Sequence, residues 1–218
     1  MLKNIYITII IFFIKNFPGS IGIKLRYFFY KPLFNSCGSG VKIGCGVVIN
    51  NFHQINFGNN IRIDDYTIIN VGDLNSNRII HYKKNYEYNS NNIRLVIKDY
   101  VHINQFCLIS SFNYLEINNY CTFSAGVKIY NVSHHFRDPK NKSKITYANN
   151  LDKSIGDNIS LYVTKIILES NVFVSINSII LDGTIGKNTF IYPNSLVFKN
   201  IKDNSLFKVN KVIGKRFL

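Results

Sequence analysis

From residue 37 onward the aliphatic positions recur in steps of six. Ile43 and Ile49, then after a slip of two Phe57, Ile63 and Ile69, form one series. Ile97, Ile103, Ile109, Ile117, Phe123 and Ile129 form a second, and Leu168, Val174, Ile185, Ile191 and Val197 a third. A period of six fits neither an amphipathic helix nor an alternating strand. It fits a coil in which each hexad gives one short strand and one turn, with three hexads completing a triangular turn of a parallel β-helix. The fifth place of many hexads is small or branched: Val47, Thr67, Val101, Cys107, Cys121, Val127, Val172 and Ser195. Such residues let a corner close while the first position fills the interior. Each coil buries its apolar faces only against its neighbours, so the stack needs caps at its ends.

Two stretches break the period, about 73–96 and 134–165. The first carries His81, Tyr82, Lys83, Lys84, Tyr86 and Tyr88. Tyrosines among cations suit stacking on sugar rings and pairing with an acidic glycan, or else brace a protruding loop against the coil. The second is long for a compact domain, and long loops often carry function. Ahead of the coil, residues 1–36 contain an apolar run from Ile5 to Ile14 between Lys3 and Lys15. It falls short of the roughly 20 residues a spanning helix needs, and "KNFPGS" makes a poor signal-peptide cleavage site. The following "IGIKLRYFFYKPLF" mixes Lys24, Arg26 and Lys31 with Phe28, Phe29 and Phe34. This helical segment suits two compatible roles, a peripheral contact with an anionic membrane or a cap over the end of the core. Residues 203–218 form a basic tail.

The chain has 218 residues, a length that fits one domain with a sizeable core. Its formal charge of +14 calls for an anionic partner without choosing one. The cations are scattered and no nucleic-acid-binding motif is present, so no nucleic-acid partner is expected. Isoleucine and asparagine are so abundant that Asn-rich segments such as "NSNN" are discounted as functional signals. Cys37, Cys45, Cys107 and Cys121 show neither C-x-x-C pairing nor zinc spacing, and are expected as free buried thiols in a reducing, cytoplasmic setting.

The ordered hexads in "VFVSINSIILDGTIGKNTFIYPNSLVFKNI", together with "INQFCLI" and "INNYCTFSAGVKIYNVSHH", resemble the hexapeptide-repeat acyltransferases. The resemblance is to the O-acetyltransferases of maltose, galactoside and surface-polysaccharide type, and it covers roughly residues 37–202. It departs at Phe173, where the family usually has Trp, at Val174-Ser175 in place of Ile-Gly, and in "ILDGTIG", one residue short. The tail also lacks the family's Gly-x-Pro. What the resemblance implies is an all-β-dominated fold, a left-handed parallel β-helix with an N-terminal helical segment and two loop insertions, assembled as a homotrimer. It further implies acetyl-CoA as acyl donor, no metal, and a carbohydrate acceptor belonging to a surface glycan or its sugar precursor.

In that family an acetyl group passes directly to a hydroxyl, and a base must take the alcohol's proton. Histidine suits the task because its ordinary pKa of about 6.5 leaves it neutral near physiological pH. The motif match places the base at His134, with His135 as the alternative or as an acceptor contact. Asn104, thirty residues ahead of His134, matches the acceptor-site Asn, or is a corner residue. Tyr82 and Lys83 would join it from the first loop. Ser175, Lys199, Lys211, Lys215 and Arg216 would meet the cofactor, the basic ones its phosphates. Competing readings are an N-acetyltransferase on an amino-sugar nucleotide, a three-histidine metal enzyme of γ-carbonic anhydrase kind nominating His102 and His134, and a non-catalytic structural coil.

Overall fold

The computed structural model describes residues 11–72, 79–82, 92–135, 160–209 and 211–215. The chain winds into a three-faced parallel β-helix. The first face stacks Ser36–Cys37, Ile55–Phe57, Leu95–Ile97, Tyr114–Ile117, Lys165–Leu168 and the end of Ile179–Ile185. The second stacks Lys42–Ile43, Arg62–Ile63, His102–Ile103, Thr122–Phe123, Phe173–Val174, Phe190–Ile191 and Ser205–Lys208. The third stacks Val48–Ile49, Ile68–Val71, Leu108–Ser111, Lys128–Tyr130, the start of Ile179–Ile185, and Leu196–Phe198. Every first-position residue of the three hexad series is buried, and so is every one of the eight fifth-position residues named above. The interior is therefore a column of Ile, Val, Leu and Phe, closed at its corners by small side chains.

The corners explain the asparagines. Between the first and second faces, Gly40, Asn60, Tyr100, Tyr120, Asn171, Asn188 and Asn204 all have positive φ. Between the second and third, so do Gly46, Tyr66, Phe106, Gly126, Asn177 and Asn194. The left-handed region is costly for most L-residues and least so for Gly and Asn. Neighbouring Asx side chains also tie coil to coil. Asn59 Oδ1 accepts from the Ser39 N–H, Asp99 Oδ1 from Asn59 and Asn119 Oδ1 from Asp99, at 2.9, 2.6 and 2.9 Å. Asparagine at these corners is the turn chemistry of the coil.

All irregularity collects at the third corner. Facing residues are 20 apart between the first two coils (Ser36 to Asn56) and again between Leu95 and Leu115, but 17 apart between Ile166 and Gly183. The first excursion leaves after Gly72 and the coil resumes at Leu95–Ile97; the second leaves beyond Asn131 and the coil resumes at Lys165–Leu168. Their described parts form a small side sheet: Val132–His135 runs antiparallel to Ser160–Val163, which pairs in parallel with Ile79–Tyr82.

At the N-terminal end, residues 11–15 are helical and helix α1 spans Gly19–Tyr30. Arg26, read from the sequence as one of the membrane-facing cations, is instead buried inside the cap. Its Nε donates to the Ile43 carbonyl at 2.8 Å, and Nη1 to those of Ile14 and Phe17 at 3.0 and 2.7 Å. Gly22 allows the close approach, since a Cβ there would lie 1.9 Å from the Phe17 oxygen. Phe34 is likewise inside, its ring 4.9 Å from that of Phe52 and 4.5 Å from that of Phe57. At the other end, Lys211–Lys215 folds back antiparallel on Ser205–Lys208. No described helix is long and apolar enough to cross a membrane.

Candidate functional site

The strand carrying His134 and His135 starts where the third face ends, above a buried polar floor. Asn131 is fully buried: its Oδ1 accepts from the Phe112 N–H at 2.8 Å and its Nδ2 donates to Ser111 Oγ at 3.2 Å. Ser111 Oγ in turn donates to the Arg94 carbonyl, and Thr164 Oγ1 to that of Leu181, at 2.5 and 2.7 Å. Buried polar groups persist when they are paired in this way, and a paired network fixes the base of both excursions. Beside it lies a cavity of about 260 Å³ lined by Tyr130, Val132, Ser133, Tyr162, Asp182 and Phe198 among others. The backbone of His134 faces Leu161 in the side sheet and that of His135 faces Ser160. Tyr82, on the third strand of the same sheet, pairs with Val163. The structure thus brings the histidine strand and the Tyr82 strand together, with Ser160–Val163 between them. Lys83 lies outside the described residues.

The remaining candidates stand elsewhere. Asn104 sits at the second corner, across the third face from His134. Its Nδ2 donates to the Phe123 carbonyl at 2.9 Å, and its own carbonyl accepts from Thr67 Oγ1 at 2.9 Å, so within one chain it clamps two coils. Ser175 is buried, with its N–H on the Ile191 carbonyl at 2.9 Å. Lys199, Lys211 and Lys215 are exposed at the C-terminal coils, and Arg216 lies outside the described residues. Phe173, in the position of the family's Trp, stacks on Phe190 at 5.1 Å.

The cysteines are free, Cys107 and Cys121 buried and Cys37 and Cys45 only half-buried. Burial pushes the Cys107 thiol up to about 11 and that of Cys121 up to about 12. Burial thus favours the protonated thiol at both positions.

A second constellation went unread in the sequence because His102 lies 38 residues from Asp64 in the chain. Asp64 receives Arg62 Nε on Oδ1 at 2.7 Å and meets His102 Nε2 at Oδ2, 2.8 Å away. Burial alone would raise this carboxyl, but the hydrogen bonds from His102 and Arg62 and their charges outweigh it and hold the pKa below its ordinary value. Arg62 and Asp64 border a groove of about 670 Å³ along the second face, shared with Lys42, Tyr66, Gln105, Phe106 and Ile23 of α1. The coil stacks Arg62 under His102 and His102 under Thr122. Residues 40 apart become neighbours only once the first excursion is looped out. His102, nominated from the sequence for a three-histidine metal centre, is on a different face from the His134 strand. Among the described residues no three His, Cys, Asp or Glu side chains gather around one point.

No protein-family model matches the chain, and no curated protein matches it in sequence. Solved structures do match in shape. AntD, an N-acyltransferase from Bacillus cereus in complex with dTDP and 3-hydroxybutyryl-CoA, superposes with a TM-score of 0.65 at 22% identity, covering 86% of each chain. A variant of the same enzyme with dTDP-4-amino-4,6-dideoxyglucose and coenzyme A gives 0.64 at 21%, covering 86% of this chain and 87% of its own. The fold is that of the hexapeptide-repeat acyltransferases. A hexapeptide-repeat acetyltransferase from Vibrio cholerae O1 biovar eltor, complexed with acetyl coenzyme A, gives 0.53 at 14%, covering 96% of this chain and 84% of its own. The left-handed parallel β-helix is what the present chain shares with them.

Proposed function

We propose that the protein is an acyltransferase that moves an acetyl group from acetyl-CoA to a hydroxyl of a surface glycan or its sugar precursor, with His134 as general base. The observation that carries this reading is the His134 strand, rising from the edge of the coil over a fixed polar floor and an adjoining cavity. The coil is one whose solved relatives hold coenzyme A, acetyl-CoA or 3-hydroxybutyryl-CoA. The acceptor oxygen attacks the thioester carbonyl, the base takes its proton, and coenzyme A leaves as the thiol. Lys199, Lys211, Lys215 and Arg216 supply cations for the donor's phosphates. His135, Asn104, Tyr82 and Lys83 are the acceptor contacts of this reading.

A second reading, N-acylation of an amino-sugar nucleotide, is favoured by the amino-sugar ligand held by AntD. Incubation with labelled acetyl-CoA and a panel of sugars, nucleotide sugars and amino-sugar nucleotides separates the two. The His134→Ala variant should lose about 10² to 10⁴ in turnover with cofactor affinity and circular dichroism retained. His135→Ala should lose less. Wild-type turnover in both variants would end the assignment.

The active assembly in this reading is a homotrimer, supported by an outward stripe along the third face: Val48, Ile68, Leu108, Ile179 and Leu196, interrupted by Lys128. A peripheral contact between the N-terminal cap and an anionic membrane, at the cytoplasmic side, completes it.

A further inference from the structure

Four bulky aromatic residues occupy corner positions that the coil otherwise gives to Gly or Asn. Tyr100 and Tyr120 stand at the first corner with φ of 58° and 62°, and Tyr66 and Phe106 at the second with 58° and 59°. A large side chain in this region is a rare conformation, and such strain gathers at functional sites. All four are more than half exposed. They form two parallel stacks, Tyr100 on Tyr120 at 5.1 Å and Tyr66 on Phe106 at 5.7 Å, each with 6° between ring planes. The two corners are the two edges of the second face. The stacks therefore wall the stretch of that face whose outward residues are Arg62, His102 and Thr122, with Asp64 bridging the first two.

From this geometry we infer that the second face of these coils is a carbohydrate-binding trough. The inference rests on the proposed function and adds a docking stretch for the acceptor glycan on a different face from the one that leads to the His134 strand. Aromatic walls offer apolar surface to the C–H faces of pyranose rings. The floor offers what hydroxyls need. Asp64 accepts hydrogen bonds, Thr122 both donates and accepts, and Arg62 uses only Nε within the described residues, so its two terminal nitrogens are left as donors. Asp64, held by Arg62 and His102 together, keeps the floor in one arrangement. The two ring pairs, offset by one coil, span three successive coils at a spacing of about 4.8 Å, close to the length of one sugar unit, which suits a chain better than a single sugar.

The test exploits the corner columns themselves. Asn occupies the same column at Asn60 and Asn171, so the double variant Tyr100→Asn/Tyr120→Asn keeps the left-handed turn. Titration calorimetry of the full chain, without acyl-CoA, with malto-, cello- and chito-oligosaccharides should show at least one binding the wild type. Affinity should fall by about tenfold or more in the double variant and in Phe106→Asn, while the thermal midpoint holds or rises. Unchanged affinity in the variants, or no oligosaccharide bound by the wild type, overturns the trough. Binding here is read apart from chemistry. Acyl transfer with no oligosaccharide binding sinks the trough alone, and trough binding with no acyl transfer to any acceptor sinks the proposed function alone.

Discussion

At the scale of single residues, Asp64 and the corner asparagines show how one side chain can serve two coils. Asp64 is held by Arg62 and by His102, 40 positions further on than Arg62, and its pKa is lowered in consequence. A carboxyl lowered on folding adds stability above its ordinary range and loses that stability as pH falls through the lowered value. Wild type should therefore exceed Asp64→Asn in thermal midpoint near neutral pH, the gap closing as the pH falls below about 4 and through the lowered value. A gap that stays constant with pH would show that the pair contributes nothing in solution, the fate of many exposed ion pairs. The asparagines carry a different lesson. Their side chains were visible in the sequence but their φ angles were not, since a turn's handedness is a property of where the chain goes next. Asn60 and Asn171 look alike in composition and act alike only because the coil superposes them.

At the scale of elements, the N-terminal cap has two faces with two chemistries. Inward, Ile14, Arg26, Tyr30 and Phe34 close the first coil. Outward, Phe12 and Phe13 are each 69% exposed and Phe28 is 74% exposed, in company with Phe17, Ile21 and Phe29. The chain contains no acidic residue before Asp64, whereas Lys15, Lys24 and Lys31 lie within this segment. An apolar surface rimmed by cations and without carboxylates fits an anionic headgroup layer. Flotation with vesicles of mixed neutral and anionic lipid should recover the wild-type protein with the lipid. Phe12→Ser/Phe13→Ser/Phe28→Ser should not float, and neutral vesicles should bind either form poorly. Equal flotation of the triple variant, or its unfolding by circular dichroism, would defeat the membrane role. The two readings of this segment could be weighed from its pattern. Only docking against the Ile43 carbonyl assigned Arg26 to the inner one.

At the scale of the whole molecule, the third face leaves Ile68 and Leu196 exposed on a stripe that runs the length of the coil. Burying such a stripe against another copy would remove apolar area from water, which is the basis of the proposed trimer. Light scattering should return three times the 25.1 kDa chain mass for the wild type. Ile68→Lys/Leu196→Lys should lower that mass and leave the coil folded. A monomeric wild type with full activity would refute the trimer.

What the sequence determined by itself was the repeat. A side chain at the first hexad position must be apolar because a coil has one interior, and a fifth-position residue must be small or branched because the chain turns there from one face to the next. Those constraints act on each hexad separately, so the pattern of Ile43, Ile63, Ile103 and Phe123 is legible without coordinates. The motif order likewise set His134 beside the second excursion. The tertiary structure alone decided which residues become neighbours across coils. Asp64 meets His102, and Tyr100 lies on Tyr120, because stacking brings each coil onto the next, while looping out a long excursion leaves the register of the remaining coils intact. Periodicity fixes position within a turn, but contact between turns depends on how much chain each corner expels.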